Sequence, residues 1–218
     1  MSQNLDLKAI ERKAVRSTYQ DGLWDLYIGG LLLLNFLFFN VRENEEIPPL
    51  TLWLTLFGVG VTFALFWLGK KYVTTPRLGQ VKFGPERIKR KHTLAMILGF
   101  YLLVTIGLVI FTLLAQRNVS SLIANLGTDR ELERLILAAI VALLVGSSMI
   151  LIAYFNDFTR GYYIALMMGC GFFFTELLDT PVPVGIAAAL IILPGLALFV
   201  NFLRQHPLPP REISHGNS

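Results

Sequence analysis

Apolar runs separated by short polar joints make up most of the chain. Six of them, 23–41, 50–68, 94–114, 135–154, 162–178 and 184–203, are close to 20 residues long and nearly free of charge. A helix rising 1.5 Å per residue crosses a hydrocarbon core of about 30 Å in roughly that length. The pattern therefore predicts an all-α, polytopic integral membrane bundle of six transmembrane helices.

The joints carry the punctuation. Leu7, Ile10, Ala14 and Thr18 recur on one side of a helical period, with Lys8, Arg12 and Arg16 on the other. That stretch reads either as a surface helix on an anionic membrane or as the solvated start of the first helix. The charged opening has no apolar signal core or small-residue cleavage site, so the first span is expected to remain as an anchor. Met1-Ser2 also lacks the glycine that myristoylation requires. Glu43, Glu45, Glu46 and Pro48-Pro49 stop the first span, and Trp53 and Trp67 mark the two interfaces of the second.

The longest polar segment, 70–93, alternates at Tyr72-Val73-Thr74-Thr75 and Gln80-Val81-Lys82-Phe83 around Pro76-Arg77-Leu78-Gly79. A small cytoplasmic β-hairpin is expected there, followed by a basic helix that starts at Gly84-Pro85 and feeds the third span. Thr128-Asp129-Arg130-Glu131 has the capping-box pattern ahead of the fourth span. Pro194-Gly195 should kink or open the sixth helix. The domain reading is an amphipathic segment 1–22, a membrane domain 23–204 that includes the loop 70–93, and a disordered cytoplasmic tail 205–218.

Composition supports the membrane assignment. Hydrophobic residues make up 54% and charged residues 16% of 218, and the mean hydropathy is +0.59. A soluble fold would have too little polar surface. For six spans, 15 of the 19 Lys and Arg fall on the side of the termini, which puts both termini and the basic loop in the cytoplasm of a multi-pass cell-membrane protein. The net charge of +4 does not call for a nucleic-acid partner, because the basic residues lie in the joints and no basic folded domain stands outside the membrane. Anionic lipids at the cytoplasmic face, a second copy and another membrane protein are the partners that fit. The Asn118-Val119-Ser120 sequon would be external.

A shift of 136 residues lays Tyr19-Gln20-Asp21 over Phe155-Asn156-Asp157, and Tyr27-Ile28-Gly29 over Tyr163-Ile164-Ala165. Spans 1–2 and 5–6 would then be a repeated hairpin, against the alternative of chance matching between apolar sequences.

Candidate chemistry gathers at the cytoplasmic mouth. Asp21 and Asp25 are one helical turn apart before and within the first span, Asp157 holds the matching place before the fifth, and Arg160 follows it. Aspartates at helix starts commonly cap free N–H groups. The sharper reading is a polar entrance that is either an ion-pair lock or a cation or proton site, with Asn35 in mid-span bonding a neighbouring helix or a substrate. Glu176 and Asp179 would mark the opposite mouth. Arg77, Arg87, Lys89, Arg90 and Lys91 are candidates for lipid headgroup or partner contact.

Ala138, Ala142 and Gly146, and Gly58 with Thr62, read as helix-packing faces. Cys170 is the single cysteine and can form no internal disulfide. His92, His206 and His215 show no metal spacing, no catalytic motif occurs, and no cofactor is expected. Two functions fit: a small transporter or permease-like protein for a small solute or lipid, and a non-transporting subunit or scaffold that holds a partner through its basic loop.

Overall fold

The computed structural model describes residues 19–42, 49–78, 85–115 and 130–207. Six long helices occupy the six apolar runs: α1 Leu23–Arg42, α2 Pro49–Leu68, α3 Pro85–Ala115, α4 Arg130–Phe155, α5 Arg160–Leu178 and α6 Val182–Gln205. Helices α3 and α4 begin before their apolar runs, taking in the polar residues that precede them. Four segments among the described residues are long and apolar enough to cross a membrane: Trp53–Arg77, Arg134–Phe155, Arg160–Leu178 and Val182–Gln205. In α1 the apolar stretch Leu23–Leu37 is shorter.

The expected hairpin is corrected. No strand occurs among the described residues. Its first arm continues α2 as a π-helical segment, Gly69–Thr74, and a single α-turn, Thr75–Leu78. The Thr75 backbone N–H reaches back five residues to Lys70 O, and the Thr75 hydroxyl donates to the same oxygen at 2.8 Å. Local alternation favours a strand, but these bonds and the burial of Thr74 outweigh it. The second arm, Gln80–Phe83, lies outside the described residues. So do the amphipathic stretch 1–18, the acidic joint 43–48, the sequon, Thr128 of the capping box and the tail from 208.

In space the helices run α2, α1, α6, α5, α4, α3, each packed on the next. The core gathers Ile28 and Leu32 from α1, Met149 from α4, Phe158 from the α4–α5 joint, Ile164 and Ala165 from α5, and Val184, Ala188 and Ile191 from α6. Small residues set the close approaches. A Cβ on Gly58 would meet Leu34 at 2.7 Å, and one on Gly146 would lie 3.6 Å from Ala165 O. The small faces predicted on α2 and α4 are thus used inside the bundle, against α1 and α5.

Helix α6 remains helical through Pro194, so of the kink or local opening expected there the opening is not seen. Turn chemistry joins α5 to α6: Asp179 is left-handed (φ 53°) with its N–H on Thr175 O, and the Thr175 hydroxyl accepts the Val184 N–H at 3.2 Å.

Candidate functional site

The site forms where the chain enters α1. Asp21 sits just before the helix and is fully buried (0% exposed). Its Oδ1 accepts the Leu23 N–H at 3.2 Å, which is the capping role its position suggests. Its Oδ2 does more, accepting Lys70 Nζ at 2.7 Å and the Thr74 hydroxyl at 2.6 Å. Lys70 and Thr74 can reach one oxygen because residues four apart lie on one face of a helical segment.

One turn on, Asp25 has a side chain only 5% exposed, and its Oδ2 pairs with Arg160 Nη1 at 2.7 Å. The other guanidinium nitrogen, Nη2, donates to the Tyr19 carbonyl. Arg160 opens α5, so this side chain ties the first turn of α1 and the segment before it to α5. Asp25 Oδ1 is buried and has no hydrogen-bond partner. Two carboxylates and two cations make the cluster formally neutral, which is how buried charge is normally tolerated.

Aromatic rings and glycines hold the cluster in place. The Tyr19 ring stacks between Trp24, at 5.7 Å, and Phe158, at 5.1 Å. Trp24 and Tyr27 both pack on Phe66 of α2 at 4.8 Å, and Lys70 lies over the same ring at 5.9 Å. On the far side, α6 presents its Pro194-Gly195 step. A Cβ on Gly195 would meet Asp25 Cβ at 2.8 Å, and one on Gly22 (φ +76°) would meet Gly195 O at 2.4 Å. The backbones touch there only because neither residue has a side chain.

Of the residues singled out from the sequence, Asp21, Asp25 and Arg160 come together. Asp157 does not pair with Arg160. It faces Arg90 at 3.6 Å from a left-handed position (φ 53°) in the α4–α5 joint. Asn35 is about 15 Å further along α1, exposed, and donates to its own helix at Leu31 O, 3.0 Å away. No bond from it to a neighbouring helix is seen among the described residues. Arg77 turns back to Val73 O at 3.3 Å. Lys89 and Lys91 are exposed on α3, and the Arg87 side chain lies outside the described set. At the opposite end, Asp179 meets Arg134 at 3.5 Å on the surface.

Lys70, Thr74, Gly22 and Gly195 were not singled out as site residues. A lysine directly after an apolar run reads as a topology signal, and its partner lies 49 residues away. Among the described residues no group of three or more His, Cys, Asp or Glu converges to hold a metal.

No protein-family model matches the chain, and neither the curated proteins nor the solved structures yield a match.

Proposed function

We propose that this chain is a six-span integral protein of the cell membrane, with both termini and the basic 70–93 segment in the cytoplasm, acting as a non-transporting subunit that holds a partner through its basic face. One observation carries the reading. The buried polar and charged side chains among the described residues are Asp21, Asp25, Thr74 and Thr175, and all four lie at helix ends. Among the described residues a polar solute would find no fully buried polar side chain midway, and the one strongly polar side chain of mid-span α1, Asn35, already bonds its own helix. The paired charges at the mouth then serve as an ion-pair lock on the bundle. Exposed Lys71, Lys89 and Lys91 give the same end a positive surface for an acidic partner.

The test is extraction in mild detergent followed by co-purification. A partner in fixed ratio, lost from the Lys89→Glu, Lys91→Glu double variant, supports the reading. A monodisperse homo-oligomer with no partner overturns it.

Transport of a small solute or lipid is the second reading. It is favoured by the unpartnered Asp25 Oδ1 beside the Pro194-Gly195 step, where a small rearrangement of α6 would uncover a carboxylate oxygen. Its test is flux into proteoliposomes, which Asp25→Asn would abolish.

A further inference from the structure

The seam between α4 and α5 is built from small residues. The Cβ position of Gly146 lies 3.6 Å from Ala165 O, and that of Gly169 lies 3.6 Å from Ala142 O. The seam floor is therefore backbone and single methyl groups, while larger side chains, Leu143, Leu166, Phe173 and Phe174, stand along it. What remains is an open apolar groove of about 530 Å³. It follows α5 from Tyr162 to Phe174, about 18 Å at 1.5 Å per residue. That length and volume suit a single hydrocarbon chain laid along the seam.

Its ends differ. The end at Phe173 and Phe174 is apolar. The other end is formed by Tyr162 and Ile150, and Tyr154 follows Ile150 one helical turn later on the same face of α4. The Arg90 guanidinium lies 5.9 Å from the Tyr154 ring centre. Arg90 faces Asp157 at 3.6 Å and keeps 39% of its side chain exposed, so its five-donor fork has room for a further anion. Lys89 and Lys91 flank it, both exposed.

An apolar trough with a cationic end matches one class of ligand. We propose that the α4–α5 groove holds an acyl chain of an anionic phospholipid whose phosphate is bound by Arg90. Ordinary bilayer lipid touches every outer face, but here the guanidinium fixes the headgroup and the small-residue floor fixes the chain. The inference rests on the membrane reading above, and it extends the Arg90 assignment from general headgroup contact to one site.

The experiment uses the full chain in nanodiscs of equal parts phosphatidylcholine and phosphatidylglycerol with matched acyl chains, analysed by native mass spectrometry. The natural chain is expected to retain one phosphatidylglycerol. Arg90→Gln should lower the preference over phosphatidylcholine about fivefold. Cys170→Trp, which fills the groove from an exposed wall position, should lose retention of both lipids. Equal retention of the two lipids by the natural chain, or undiminished phosphatidylglycerol on Cys170→Trp, overturns the proposal. A dimer of the natural chain that Cys170→Trp dissociates also overturns it, by making a second copy the occupant. Carbonate extraction separates the two levels: a chain that stays in the membrane yet retains no lipid overturns the groove site alone, whereas a released chain overturns the membrane reading beneath it.

Discussion

The Tyr163 hydroxyl donates to the carbonyl oxygen of Leu190 at 3.1 Å, and that carbonyl is the one Pro194 leaves without a helical partner. Proline has no N–H to return to the residue four before it, and an orphaned carbonyl at membrane depth is costly. A side chain from α5 supplies the missing donor, which accounts for α6 continuing as a helix through Pro194. Tyr163→Phe should therefore lower stability in detergent by about 1 kcal/mol. In a Pro194→Ala background the backbone bond is restored, and the same change should cost less than half as much. A double-mutant cycle by thermal unfolding measures the difference, and equal costs in both backgrounds would remove the explanation.

The Asp21–Lys70 pair should behave as a buried ion pair. Asp21→Asn removes the carboxylate that the Lys70 ammonium, largely shielded within the bundle end, pairs with at 2.7 Å, and Lys70→Met removes the cation that pairs with a fully buried carboxylate. Each single change is expected to cost roughly 3 kcal/mol or more. The double variant Asp21→Asn, Lys70→Met should recover a large part of that loss, because neither charge is then stranded. Chemical unfolding in mixed micelles gives the comparison, and additive losses would mean the two groups do not act as a pair.

The helices were legible because each apolar run is near 20 residues long and is bounded by polar residues. Helix α1 begins at Leu23 as expected and ends one residue later, and α2 ends at Leu68 as read from the sequence. The site was only half legible. Asp21, Asp25 and Arg160 could be singled out as charges at the edge of apolar runs, but their partners could not, since Asp25 and Arg160 are 135 residues apart. The π-segment reads as a strand because threonine and valine favour strands locally, and what outweighs this is the pair of Thr75 bonds to Lys70 O together with the burial of Thr74 against Asp21, distant in sequence. The 136-residue correspondence pointed to Asp157 as the equivalent of Asp21. In the structure the two have different partners.

Gly22 should be among the least replaceable positions in the entry segment. Its φ of +76° is costly for any residue with a Cβ, and that Cβ would stand 2.4 Å from the Gly195 carbonyl. Because the obstacle is backbone, α1 and α6 would have to separate. Gly22→Ala is expected to lose more than about 2 kcal/mol. Gly99→Ala in α3, where nothing lies within 4 Å of the new methyl, should be neutral or gain up to about 1 kcal/mol from helix propensity. Melting temperatures of the two variants in one detergent check the contrast, and similar losses in both would refute it.

Asp157 gives the sharpest contrast with Asp21. Its pairing with Arg90 is long, at 3.6 Å, and both side chains are partly exposed, at 39% and 23%, so the ion pair itself should be worth no more than about 1 kcal/mol. The backbone sets the stronger demand: φ is 53°, a left-handed geometry that Asn and Gly accept readily and β-branched residues resist. Asp157→Asn should therefore stay within about 1 kcal/mol of the natural chain, and Asp157→Gly should do the same. Asp157→Val, similar in size but branched at Cβ, is expected to lose about 2 kcal/mol or more. Unfolding of the three variants beside Asp21→Asn decides between a backbone role and a charge role. If Asp157→Asn proves as damaging as Asp21→Asn, the two aspartates are equivalents, as the repeated-hairpin reading expects.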